Sequence, residues 1–201
     1  KPVLNESINK GEKHLMFKEM YHPLIKNPVA NSGSFDKSAL ITGSNASGKS
    51  TFIKTIAINA ILAQSIYTCC AKEYLSSYFK IYTSMALKDS VLSNESYYIV
   101  EIKSLKRILD NVDDRIPSLC FVDEILRGTN TVERIASSSE VLKTLSEDNC
   151  ICFAATHDIE LTYLLENRFN NYHFEENITD NDIRFDYKLY KGRAESRNAI
   201  K

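Results

Sequence analysis

The run Gly43-Ser-Asn-Ala-Ser-Gly-Lys-Ser50 constrains this chain more than any other feature. It spells G-x-x-x-x-G-K-[ST] and sits between a β-prone stretch, Ser38-Ala-Leu-Ile-Thr42, and an apolar-periodic stretch from Thr51 onward. A strand, a glycine-bearing loop and a helix in that order put backbone N–H groups and a lysine at a helix N-terminus, a site for a polyphosphate. Gly43 and Gly48 let the backbone wrap closely around phosphate oxygens. Lys49 neutralises charge on the β and γ phosphates, and the Ser50 hydroxyl suits Mg²⁺. A plain Gly-Ser turn ahead of an ordinary helix would not need this strand-loop-helix order.

Composition narrows the setting. With 201 residues, 43% of them hydrophobic, the chain can bury one large domain. The formal net charge is −1 with both signs dispersed, so no basic stripe marks a main nucleic-acid contact surface. No apolar run reaches membrane-span length and no signal-peptide pattern opens the chain. Cysteines fall at 69, 70, 120, 150 and 152, an odd number with no C-x-x-C pair. That does not suggest a disulfide framework and points to a reducing, cytoplasmic setting, with Cys120, Cys150 and Cys152 as small core residues. A start at Lys1 rather than Met, and an end at Lys201 just as a helical pattern begins, lead us to expect a piece of a longer protein.

Residues 1–37, punctuated by Pro2, Pro23 and Pro28, read as an irregular N-terminal segment. A core over 38–165 comes next. It reads as a strand at 38–42, the loop, and a helix near 50–66 with Ile53, Ile56, Ala57, Ala60 and Ile61 as its packing stripe. A β-prone stretch near 78–87, a polar loop Lys88 to Glu95, and a helix near 96–112 continue it. The strand 118–123, a helix near 131–147, the wholly apolar strand 149–155 and a short helix after Asp158 complete the core. In 166–201, the runs Tyr172–Glu175 and Ile183–Tyr190 read as an antiparallel hairpin ahead of a C-terminal helix. The expected fold is α/β, a mostly parallel central sheet flanked by helices, with that hairpin near the C-terminus.

A phosphate loop needs an acid to hold its metal. Leu119-Cys-Phe-Val-Asp-Glu124 supplies two at the end of an apolar strand, where the crevice of a parallel sheet opens. Asp123 is the expected Mg²⁺ holder, and Glu124 points toward the water that attacks the γ-phosphate. His157, at the exit of the strand 149–155, is either a group touching that phosphate or a solvated residue at the start of the next helix.

Three segments carry a family resemblance: Ile41-Thr-Gly-Ser-Asn-Ala-Ser-Gly-Lys-Ser-Thr51, Phe121-Val-Asp-Glu-Ile-Leu-Arg-Gly-Thr-Asn-Thr131 and Ala154-Ala-Thr-His-Asp-Ile-Glu-Leu161. They resemble the TGPNMGGKST, DEIGRGTST and ATHxxEL segments of the C-terminal ATPase domain of the MutS family, the mismatch-repair branch of the ABC-type P-loop NTPases. The likeness runs from about Tyr21 to Ala199. It implies that Ser44, Asn45, Ala46, Ser47, Gly48, Lys49, Ser50 and Thr51 wrap the phosphates of ATP, with Asn45 near the γ-phosphate or a partner subunit. Ser50 and Asp123 hold Mg²⁺, Glu124 activates water, and His157 senses the γ-phosphate. Ser96, in Ser93-Asn-Glu-Ser-Tyr-Tyr-Ile-Val-Glu-Ile102, reaches across a nucleotide-sandwich dimer, and Arg127–Thr131 communicate between its two sites. Tyr187 stacks on adenine, with Pro28, Val29 and Ala30 as the opposite wall. DNA is met through other domains. The chain departs from the pattern at Ala46-Ser47, at Leu126 in place of glycine, at Asn94-Glu95 and at Tyr97-Tyr98.

The expected activity is Mg²⁺-dependent hydrolysis of ATP to ADP and phosphate, driving a conformational change in a MutS-like DNA-binding protein. Two alternatives stand beside it. One is a nucleotide switch that does not hydrolyse, against which the retained Asp123-Glu124 pair argues. The other is an ABC-type subunit of a non-DNA machine, whose Leu-Ser-Gly-Gly-Gln segment is replaced by Leu-Ser-Asn-Glu-Ser at 92–96.

Overall fold

A computed structural model describes residues 1–5, 13–85, 97–112, 116–147, 149–179 and 182–194. The fold is α/β. Ten strands form two mixed sheets, and four helices lie among the described residues.

The larger sheet carries the site. Its central strand β4 (Ala39–Thr42) runs parallel to β8 (Cys150–Ala155) on one side and to β9 (Asn170–Thr179) on the other. Beyond β8 lie β7 (Ser118–Asp123) and β6 (Lys80–Ser84), both parallel; beyond β9 lies the antiparallel β10 (Asp182–Lys191). The inner strands are apolar at nearly every position because both faces are covered. Period-2 alternation divides them. Ala39, Ile41, Leu119, Phe121, Ile151 and Phe153 enter one buried cluster, while Leu40, Cys120, Val122, Cys150, Cys152 and Ala154 enter the other. The cysteines of these strands are thus free, buried core residues.

Helix α1 (Lys49–Ile66) packs on the first face through Phe52, Ile53, Ile56, Ala57, Ala60 and Ala63. Ile61, expected in that stripe, lies at its margin and is half exposed; the buried face continues through Ala63 instead. Helices α2 (Tyr97–Leu109), α3 (Thr131–Glu147) and α4 (Glu160–Leu164) bury Leu105, Ile108, Leu142, Leu145 and Leu161 on the second face.

The irregular segment expected over 1–37 is corrected by the structure. Strands β1 (Val3–Asn5), β2 (Leu15–Met20) and β3 (Asn31–Phe35) join β5 (Glu73–Ser77) in a four-stranded sheet ordered β1-β5-β2-β3. Phe35 locks this sheet to the larger one, its ring edge-on to Phe153 at 4.8 Å. The β-prone stretch expected near 78–87 is β6, and β5, just before it in the other sheet, is an unexpected strand. Gln64 of α1 pins the step between them, accepting from Phe79 N at 2.7 Å and donating to Phe79 O at 3.0 Å. The C-terminal hairpin forms as expected, with longer strands.

Candidate functional site

Parallel strands β4, β7 and β8 end together, so the segments that leave them meet at one edge. Three backbone bonds knit that edge: Thr156 N to Ile41 O at 3.0 Å, Glu124 N to Ala155 O at 2.9 Å, and Phe52 N to Gly48 O at 2.8 Å at the start of α1. The loop 43–48 leaves β4 here and returns as the first turn of α1. Gly43 (φ 144°) and Gly48 (φ 109°) adopt backbone that L side chains rarely take. A Cβ on Gly43 would sit 2.8 Å from Ser47 Oγ and 3.0 Å from Phe174 O, and one on Gly48 would sit 3.2 Å from the Tyr187 ring. Ala46 is also left-handed, at φ 65°.

Lys49 is 4% exposed, and its Nζ donates to Gly43 O and Ser44 O, both at 2.8 Å. Burial takes its pKa down to about 8; the Asp123 charge opposes the shift and the Arg127 charge adds to it. Ser50 Oγ donates to Asp123 Oδ1 at 3.0 Å across 73 residues of sequence. A hydroxyl and a carboxylate are the hard oxygen donors that Mg²⁺ takes when phosphates and water complete its shell. Among the described residues no three His, Cys, Asp or Glu side chains converge as a cage for a metal. The donor set therefore fits an ion shared with a phosphate ligand.

Glu124, left-handed at φ 56°, comes directly after Asp123. Its Oε1 lies 2.9 Å from His157 Nε2, and Oε2 pairs with Arg127. Burial pushes the His157 pKa down, and the Lys49 and Arg127 charges reinforce that, so the ring is neutral near pH 7. The turn carrying His157 is held from α3. Arg134 meets Asp158 in a bidentate pair at 2.8 and 2.6 Å, and Asp158 N donates to Thr156 Oγ1 at 3.0 Å. In the loop 127–131, Asn130 Oδ1 accepts from Glu133 N at 3.0 Å and so caps α3.

A cleft of about 570 Å³ opens beside the loop. Asn45, Ala46, Gly48, Lys49, Ser50, Thr51 and Glu124 line it, together with Pro28, Val29 and Tyr187. The chain thus brings together residues expected to face phosphates and residues expected to flank a base. Ala30 does not line the cleft but anchors its wall, its carbonyl accepting from Lys188 Nζ at 2.9 Å. Ser44 Oγ and Ser47 Oγ are buried without hydrogen-bond partners and do not line it, which leaves these residues only backbone groups to offer. Ser96 lies outside the described residues.

Residues 39–201 match MutS domain V. This chain belongs to the MutS family. It is 35% identical to the MutS protein homolog 4 of Mus musculus over 92% of the chain and 21% of that relative. It is 28% identical to the DNA mismatch repair protein MutS of Natronomonas pharaonis over 94% of the chain and 22% of the relative. The chain spans about a fifth of the length of these MutS relatives. Within this MutS-family domain, several cleft residues carry no signal in the motifs. Phe174 packs under Gly48 from β9. Asn31 donates to Tyr187 O at 3.0 Å and accepts from Leu189 N at 2.9 Å, holding the bulge of β10 that presents Tyr187 at φ 56°. Met20, His22 and Ile25 complete the wall near Pro28. Among the described residues, no helix is long and apolar enough to cross a membrane.

Proposed function

We propose that this domain is a P-loop ATPase of the ABC type that binds ATP with Mg²⁺ and hydrolyses it by in-line attack of water. The observation that carries this reading is one cleft lined by the loop around Lys49, by Ser50 and by Glu124, with Asp123 bonded to Ser50 and His157 in contact with Glu124 just behind that lining. Each group has a task. Lys49 leaves the loop carbonyls to neutralise the β and γ phosphates. The backbone N–H groups of 44–51 and the N-terminus of α1 hold the phosphate oxygens. Ser50 and Asp123 hold Mg²⁺, which supplies charge neutralisation on the phosphate oxygens. Glu124 takes a proton from the attacking water, and neutral His157 spends its one N–H on the Glu124 carboxylate and so fixes it. Catalysis is then positioning and charge neutralisation, with no covalent step on the protein.

The relatives named as DNA mismatch repair proteins extend the reading to the whole molecule. ATP binding closes a nucleotide-sandwich dimer through Ser96 and the loop 127–131, and the closure moves a DNA-binding part elsewhere in the protein. Single-turnover assay with ATP tests the enzyme reading: product forms with Mg²⁺ and none forms with EDTA. ATP bound stably with Mg²⁺ yet never cleaved would replace it with a nucleotide switch.

In the cleft wall beside Gly48, Tyr187 is 44% exposed and stacks on the base, with Val29 as the other wall. Tyr187→Ala should raise the Kd for ATP and ADP alike by about 5- to 150-fold, the worth of one base–aromatic stack. Binding of tripolyphosphate, which has no base, should not change. Calorimetric titration of the three ligands checks this; equal weakening of tripolyphosphate would assign Tyr187 to loop support under Gly48.

A further inference from the structure

Glu101, on the second turn of α2, is 2% exposed and sits among the apolar residues of the second face. Its Oε1 accepts from Leu126 N at 2.5 Å, and its Oε2 is buried with no hydrogen-bond partner. Burial pushes its carboxyl pKa up, against the Leu126 and Arg127 N–H groups and the Arg127 charge. A carboxyl in such a place is expensive, and an apolar side chain would pack there without that cost. The carboxyl's bond to Leu126 N reaches the turn just after Glu124.

That turn needs holding. Glu124 and Leu126 are both left-handed, at φ 56°, a conformation unusual for either residue type. Other holds act beside it: Glu124 N donates to Ala155 O at 2.9 Å, the Glu124 carboxylate pairs with Arg127, Ser138 Oγ approaches Ile125 O at 3.5 Å, and Tyr98 of α2 packs so closely on Gly128 that a Cβ there would lie 2.8 Å from it. Glu101 and Tyr98 thus tie the first turns of α2 to the segment that aims the Glu124 carboxylate.

We propose that Glu101 is a positioning residue that locks the 124–127 turn and so sets the direction of Glu124. A displacement of the start of α2 is thereby transmitted to Glu124. This inference rests on the hydrolysis proposed above.

The test compares Glu101→Ala, Glu101→Gln and Glu101→Asp in the full natural chain, reading single-turnover ATP cleavage, ATP affinity and amide exchange at Leu126. Glu101→Ala should slow cleavage by about 10- to 100-fold, as a misaimed reacting group does. ATP affinity should stay within about threefold, since Glu101 is not in the cleft. Glu101→Gln keeps the accepting oxygen at full reach and should retain cleavage within about threefold, whereas Glu101→Asp is one methylene short and should behave as Ala. Exchange at Leu126 should quicken in Ala and Asp but not in Gln. Cleavage in Asp equal to wild type, or in Gln as low as in Asp, overturns the proposal, and this contrast decides even where Ala fails to fold. A wild-type protein that never cleaves ATP overturns the hydrolysis reading and with it the catalytic role. The exchange pattern then still decides whether the lock exists.

Discussion

Lys49→Ala should lose about 2–5 kcal/mol of ATP binding, raising Kd roughly 30- to 5,000-fold, the range for deleting one member of a buried charge pair. The structure says why the loss is large. Lys49 is 4% exposed and is held by two loop carbonyls, so its charge acts in a poorly solvated place where Coulomb attraction is weakly screened. Arginine should not restore it, because a larger planar fork does not replace a compact ammonium at a position only 4% exposed. The lowered pKa adds a second, independent signature. Below about 8 the lysine is charged in the free protein and affinity should be flat with pH. Above about 8 the free protein loses that proton while a bound polyphosphate favours keeping it, so affinity should fall by up to about tenfold per pH unit. The same shift makes stability rise with pH between about 8 and the unfolded value of 10.5, because there the unfolded chain binds the extra proton. Calorimetry from pH 7 to 9.5 measures the binding effect. Flat affinity across that range would show that Lys49 does not meet the phosphates.

The parts of the site written in short local signals are legible without the fold. Gly43 and Gly48 stand where positive φ and close contacts demand glycine. Asp123 is marked by position, since it ends an apolar strand and parallel strands must end at one edge, whereas position leaves His157 open and only the family resemblance singles it out. The small sheet is hidden for the opposite reason. β3 reads Asn31-Ser-Gly-Ser-Phe35, with little apolar alternation, and β2 bulges where Glu19 turns left-handed at φ 49°. Their pairing is settled by tertiary contacts such as Phe35 on Phe153, which no local pattern encodes. Likewise β5 and β6 belong to different sheets because Gln64, on another element, fixes Phe79 between them.

Long-range hydrogen bonds explain the remaining gaps in the site. Tyr187 is singled out by the family resemblance, but what aims it is Asn31, 156 residues away. Arg134 reads as one more charge on an amphipathic helix, yet its guanidinium grips Asp158 beside His157. Nothing in its charge tells Glu101 from a solvated glutamate, and it is buried. Composition marks such residues as polar, and only the fold shows that they support the groups around the cleft.

Glu124→Gln should slow ATP cleavage by about 100- to 10,000-fold, the contribution of a general base, while ATP affinity stays within about threefold. The substitution is nearly isosteric and leaves the backbone bond from Glu124 N to Ala155 O in place. What it removes is the charge that meets His157 at 2.9 Å and pairs with Arg127. Two causes could therefore give one result: loss of a base, or loss of an ion pair that orders the 124–127 turn. Arg127→Ala separates them, because it breaks the pair and keeps the carboxylate. If Glu124 is the base, Arg127→Ala retains far more activity than Glu124→Gln. Its slowing is then limited to aim, and the freed carboxylate still accepts the proton. Should Arg127→Ala fall as far as Glu124→Gln, the ion pair rather than the base governs the rate. Should Glu124→Gln cleave within about fivefold of wild type, water must be activated elsewhere, and His157, neutral and in contact with Glu124, becomes the group to examine.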